Sequence, residues 1–208
     1  MQYVLRSWLQ MMADKVGFSA DIKQLEKLEA VADWVAPAAA RLGLTQFAAP
    51  GDFAQNLMAP SFDLLPYLGN SIRSIAEVGP GNGGLGLSLA VLLPNHSVHL
   101  IDRRRKVCDF LALTAARFEI TNCTVHEASV ANYQAEPQSF DVVAARAVAS
   151  SDVLLVDLPK IVSSDGLLAL FKTEAPVLAP PGLQLVTHVT THVPGLWLDL
   201  FKMTQQDV

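Results

Sequence analysis

The chain has 208 residues, a formal net charge of −5 and 51% apolar residues, which suits one domain with a substantial core. No apolar run reaches the ~18–20 residues of a membrane span, the N-terminus lacks a basic-then-apolar leader, and Cys108 and Cys123 make no disulfide framework, so a cytoplasmic protein without membrane partners is expected. Residues 1–70 hold Arg6, Lys15, Lys23, Lys27 and Arg41 against seven acids, and the basic run Arg103-Arg104-Arg105-Lys106 stands alone, so a broad basic face for a nucleic-acid backbone is not expected.

Residues 1–45 read as two or three helices. Asp21 is placed to cap a segment with Ile22, Leu25, Leu28, Val31, Ala32 and Val35 at helical spacing, which Pro37 is expected to end. Gly43, Pro50-Gly51 and Pro60 then predict a less regular stretch. From residue 72 strands and helices alternate, as in a parallel sheet. The expected order is a strand over 72–78, a helix over 85–93 stopped by Pro94, a strand over 97–102 and a helix from about 104 to 118. Short strands at 123–127 and 140–145 follow, then a helix over 153–162, a strand over 166–172, and a hairpin of 183–193 and 196–203 around Pro194-Gly195. The reading is α/β. Residues 1–70 form an N-terminal helical extension that caps the substrate side, and residues 71–208 form the sheet domain.

Gly79, Gly81, Gly83 and Gly84 fall between the first strand and its helix, where a backbone without side chains lets a ligand approach a helix N-terminus. Glu77 precedes them by two residues, and Asp102 ends the next strand, where a carboxylate can accept two ribose hydroxyls. An acid at position 77 suits a cationic amino-acid end and fits poorly beside a dinucleotide pyrophosphate, and Asp102 would repel the 2′-phosphate of NADP. The loop is therefore read as one for S-adenosylmethionine, with S-adenosylhomocysteine as product. The arrangement resembles class I methyltransferases: five parallel strands and a terminal hairpin match their seven-stranded, Rossmann-like sheet, mostly parallel with an antiparallel C-terminal pair. In that architecture Ala128, Ser129 and Val130 fall beside the adenine, and Arg146 lies after the fourth strand, facing the transferred methyl; Arg103 is counted with the cofactor contacts. Arg146 is the candidate catalytic residue and also counts among the cofactor contacts. Arg103–Lys106 otherwise reads as a solvated helical turn. Phe47, Phe53, Phe62 and Trp197 are candidate walls for a planar acceptor, against a plain core role. His188 and His192, four apart, lack an acid or cysteine partner in their pattern, so no metal site is expected. Cys108 reads as a small core residue.

Glu77–Leu89, Leu100-Ile101-Asp102, Lys106, Phe110-Leu111, Phe140-Asp141 and Arg146-Ala147-x-Ala149-Ser150 together resemble the 16S ribosomal RNA guanine-N7 methyltransferases, the glucose-inhibited division protein B family, from about Leu44 to Lys172. The resemblance implies S-adenosylmethionine as cofactor and a ring nitrogen as nucleophile. On the acceptor side the chain departs from the family. Gly43-Leu44-Thr45 stands for an Asn-Leu-Thr segment and Ala48 for the arginine after it. Asn56–Ser61 keeps only the serine of an Arg-His-x-x-Asp-Ser signature, Ser129 replaces an arginine, and Leu196–Leu200 is apolar where the family is basic. These losses favour a small purine-like heterocycle as acceptor. Ribosomal RNA is the alternative, and cofactor binding without turnover is a third reading. The oligomeric state, monomer or homodimer, stays open.

Overall fold

The computed structural model describes residues 2–133, 140–146, 156–173, 179 and 182–204. Its chain order is α1 (Gln2–Lys15), α2 (Ile22–Arg41), α3 (Pro50–Phe53), a π-turn (Ala54–Met58), α4 (Ala59–Leu64) and a 3-10 turn (Leu65–Tyr67). Then come β1 (Ser74–Val78), α5 (Gly84–Leu92), β2 (Ser97–Asp102), α6 (Arg105–Arg117) and β3 (Cys123–Glu127). After 3-10 turns at Val130–Asn132 and Leu158–Ile161, which flank β4 (Phe140–Arg146), the chain closes with β5 (Val162–Lys172), β6 (Leu183–Thr190) and β7 (Trp197–Met203).

The seven strands lie in the order β3-β2-β1-β4-β5-β7-β6. The five from β3 to β5 are parallel, and β7 joins β5 antiparallel with β6 beyond it. Strands β1 and β4, in the middle of the sheet, are buried along almost their whole length, which fits their largely apolar sequences. Strand order reverses between β1 and β4, so their carboxyl ends open a crevice where ligands of such sheets bind. Because β7 runs opposite to β5, the β6–β7 turn comes back to that same rim.

Helix α5 explains the N-terminal extension. Every one of its residues, Gly84 to Leu92, is buried. A helix apolar all round must be covered on its outer side as well as on the sheet. The extension supplies that cover: Leu25, Leu28, Val35, Phe53, Leu57 and Phe62 enter one apolar cluster with Leu85, Leu87 and Leu89. Residues 1–70 therefore share their core with the sheet domain.

Three expectations change. Asp21 caps α2 through a capping box with Gln24, but the helix continues through Pro37 to Arg41. Buried Ala36 and Ala39 hold that last turn against the protein, and this packing outweighs the hydrogen bond that Pro37 cannot donate. The stretch around Pro50–Pro60 is helical rather than irregular. Pro50 and Pro60 sit in the first turns of α3 and α4, where a missing N–H costs little, and the π-turn accommodates the junction through the Ala59 N–H donating to the Ala54 carbonyl. The helix expected over 153–162 lies partly outside the described residues. Of its described part, residues 156–157 are helical as expected, but a 3-10 turn containing Pro159 follows, and Val162 already pairs with Phe140 as β5 begins. Register then slips between Phe140 and Val142, and Gly166 sits where a Cβ would come within 2.9 Å of the Asp141 carbonyl.

Candidate active site

Gly79, Gly81 and Gly83 follow β1 with φ of 71°, 55° and 82°, the left-handed region that side chains avoid. A Cβ on Gly79 would meet nothing within 4 Å, so the loop leaves open space above it. Gly83 caps α5, and its own constraint faces inward, since a Cβ there would lie 2.5 Å from Leu111. Gly84 is fixed by another neighbour: its Cβ would come within 2.7 Å of the Leu57 carbonyl, so the π-turn rests directly on the start of α5. Asn82 ties the loop down, accepting the Gly84 N–H at 2.9 Å and donating to the Leu44 carbonyl at 3.4 Å.

Glu77 lies under this loop, 2% exposed, and accepts the Gly86 N–H at 2.8 Å. Burial pushes its carboxyl up to about 7, against the Gly86 hydrogen bond and the nearby positive charge of Arg146; the charge of Asp102 adds to the rise. Gly86, which the sequence pattern does not single out, makes this possible, because a Cβ there would stand 2.4 Å from the Glu77 carboxylate.

Asp102 ends β2 on the same rim and is 4% exposed. Its Oδ1 accepts the Arg104 backbone N–H at 2.9 Å and Arg104 Nε at 3.0 Å, while Oδ2 accepts Arg104 Nη2 at 2.8 Å. Burial raises its pKa, but these bonds, the arginine's charge and the Gly81 backbone N–H outweigh it, and the carboxyl stays below its ordinary value. The arginine engaged here is thus Arg104, whereas Arg103 is exposed. Lys106 also has a partner, the Leu42 carbonyl at 2.9 Å. The basic run is therefore only partly a solvated helical turn.

Ala128, Ser129 and Val130 follow β3, half-buried, with the Ala128 N–H donating to the Asp102 carbonyl at 3.0 Å. Arg146, the last residue of β4, is half-buried; burial lowers its pKa and Glu77 opposes the fall. Glu77 pairs with Ala144 across the β1–β4 ladder, so by alternation Glu77 and Arg146 project from the same face. The segment 147–150 after it lies outside the described residues. Phe53 and Phe62 are completely buried in the core and wall nothing, while Phe47 and Trp197 are partly buried. Cys108 is buried, as expected of a core residue.

Each histidine of the terminal hairpin has its own acid. His188 Nδ1 lies 2.5 Å from Asp199, which is fully buried and also meets Lys172 Nζ at 2.6 Å, and the His188 ring stacks on Trp197 with centroids 4.6 Å apart. His192 Nδ1 lies 2.5 Å from Asp63 of α4. Among the described residues no three His, Cys, Asp or Glu side chains gather as a metal site, and no helix is long and apolar enough to cross a membrane.

The open space over Gly79, the left-handed glycines and the two acids on one rim fit an adenosyl amino-acid cofactor on this chain's own geometry. Solved structures share the fold. A SAM-dependent methyltransferase from Aquifex aeolicus aligns with TM-score 0.59 at 14% identity, over 80% of this chain and 97% of its own. A glycopeptide N-methyltransferase, MtfA, solved with S-adenosylmethionine, aligns with TM-score 0.58 at 12% identity, over 73% of this chain and 96% of its own. Among curated sequences, ribosomal RNA small subunit methyltransferase G of Coxiella burnetii is 33% identical over 138 residues, 65% of this chain and 66% of that protein. Its counterpart from Desulfitobacterium hafniense is 30% identical over 135 residues, 64% of this chain and 56% of that protein. The matched segment thus spans just under two thirds of one relative and little over half of the other. The family model for rRNA small subunit methyltransferase G, GidB, matches residues 24–177, and the chain belongs to that family.

Proposed function

We propose that the chain is an S-adenosylmethionine-dependent methyltransferase that modifies a guanine ring nitrogen of small-subunit ribosomal RNA. The observation that carries this reading is the family match over residues 24–177, which contains the whole constellation of Glu77, the glycine loop, Asp102 and Arg146. S-adenosylmethionine, when bound, supplies a methyl group already activated on a sulfonium, so transfer to a ring nitrogen with a free lone pair depends on alignment more than on acid–base chemistry. Within this reading Asp102 receives the ribose hydroxyls, Ala128, Ser129 and Val130 border the adenine, Arg103 stands at the ribose edge, and Glu77 fixes the loop and faces the cationic end of the cofactor. Arg146 is the catalytic candidate, as a donor to a ring carbonyl or to developing charge at the acceptor. Residues 1–70 serve as the acceptor cap, consistent with the π-turn lying against Gly84 and Asp63 reaching the β6–β7 turn.

A second reading, a small planar nitrogen heterocycle as acceptor, is favoured by one feature: the net charge of −5, with Ala48 and the mostly apolar segment Leu196–Leu200 where the family resemblance implies basic residues. The test offers methyl-labelled donor with 30S subunits lacking the modification, and in parallel a panel of free purines. Label in 16S rRNA, mapped to a guanine by mass spectrometry, supports the leading reading. Turnover confined to free purines would replace it with the second, and binding without product in either arm would leave a cofactor-binding protein.

A further inference from the structure

Asp102 is largely taken up. A carboxylate has about four lone-pair sites, and three hydrogen bonds already reach this one, from the Arg104 backbone N–H, Arg104 Nε and Arg104 Nη2. The first is a main-chain group fixed by the entry to α6. The other two belong to one guanidinium whose side chain is 55% exposed, while the acid it covers is 3% exposed. That guanidinium also lies over the loop, with Nη2 3.9 Å from where a Cβ on Gly81 would stand. A ribose offers two vicinal hydroxyls to Asp102, and the acid has no room for both until the guanidinium leaves. Its departure frees two acceptor sites, the number a ribose diol fills.

We propose that Arg104 is an internal substitute for the cofactor's ribose, a side chain that occupies both acceptor positions of Asp102 in the free protein and is exchanged for the 2′- and 3′-hydroxyls on binding. The inference rests on the cofactor reading above. Its consequence is that Arg104 sets the affinity for any adenosyl ligand by competition: it keeps a buried carboxylate satisfied when the site is empty and imposes a displacement cost when it fills. Only ligands whose diol replaces both bonds recover that cost in full.

The test is calorimetric titration of the full chain with S-adenosylhomocysteine, which needs no methyl acceptor. Arg104→Ala should bind about tenfold tighter than the unmodified chain, the worth of a partly exposed charged fork. Arg104→Lys, which keeps the charge but loses the fork, should fall between them. Rising salt should narrow the gap by screening the competing ion pair. A second readout uses the unmodified protein: the Arg104 Nε–H resonance, protected from solvent exchange by Asp102, should lose that protection on saturation with S-adenosylhomocysteine. Equal or weaker binding by Arg104→Ala, or an Nε–H that stays protected in the complex, overturns the exchange. Failure of the unmodified chain and both variants to bind overturns the cofactor reading and the inference with it.

Discussion

Glu77 is ionisable, buried and bonded to the Gly86 N–H, so its protonation is linked to folding. Its folded pKa is raised from 4.5 to about 7, so the folded state holds the proton more tightly than the unfolded chain. The stabilising contribution of that proton is complete below about 4.5 and is lost as pH rises through about 7. Urea unfolding of the ligand-free protein should therefore show stability falling across this window, and Glu77→Gln should flatten that fall; an identical pH profile in the variant would remove Glu77 as its source. Gly86 belongs to the same arrangement. Gly86→Ala places a Cβ 2.3 Å from Leu100 and 2.4 Å from the Glu77 carboxylate. It should cost roughly 1–3 kcal/mol of unfolding free energy, as overpacking of a tight core does. The need for Gly79, Gly81 and Gly83 is legible in the sequence because strand, glycines and helix are adjacent there. The need for Gly86 is not, because it arises from Leu100 on another strand and from the way Glu77 folds back under the loop. Arg104 is hidden for a similar reason: three successive arginines look alike in sequence, and only the turn after β2 decides which one reaches Asp102.

At the scale of elements, the strand–helix alternation from β1 to β3 matches the sequence reading closely, since period and length distinguish buried parallel strands from helices there. The π-turn and the helical run through Pro50, Pro60 and Pro37 do not announce themselves, because proline is ambiguous between a first helical turn and a break. What settles it is packing against α5. Gln24 shows how the two layers are joined. Its side-chain carbonyl accepts the Asp21 N–H at 2.8 Å to complete the α2 capping box. Its amide donates to the Leu92 carbonyl at 2.8 Å, one of the unpaired carbonyls at the end of α5. Gln24→Ala should remove both roles and cost about 1–2 kcal/mol, whereas Asp21→Ala, which removes the cap alone, should cost about 1 kcal/mol. Equilibrium denaturation of the two variants checks this ordering, and equal losses would mean that the contact to α5 adds nothing.

Across the whole molecule, the first seventy residues and the last hairpin share an apolar cluster that takes in Val193 and Leu196, and a partly buried pair of polar side chains also joins them. Asp63 in α4 accepts the His192 backbone N–H at 3.2 Å and faces His192 Nδ1 at 2.5 Å, bridging positions 129 residues apart. No sequence pattern reveals such a partner; a histidine in a turn becomes interpretable only when the antiparallel return of β7 brings the β6–β7 turn to the rim where α4 lies. The turn is stiff on its own account, with Thr191 Oγ1 donating to the Leu196 carbonyl at 2.9 Å and accepting the Val193 N–H at 3.1 Å. The pair therefore ties the helical extension to a prepared anchor. Burial raises the Asp63 pKa despite its bonds to His192, so removing the histidine leaves a costly acid in a dry place. A double-mutant cycle of Asp63→Asn and His192→Gln should return a coupling of roughly 1–3 kcal/mol, the range for groups in direct contact. Hydrogen exchange should locate the effect, with faster exchange in both α4 and the hairpin in either single variant, because each loses the same tether. Loosening of the hairpin alone would show that α4 is held by α5 without help from the C-terminus, and that the extension closes over the rim independently of β6 and β7.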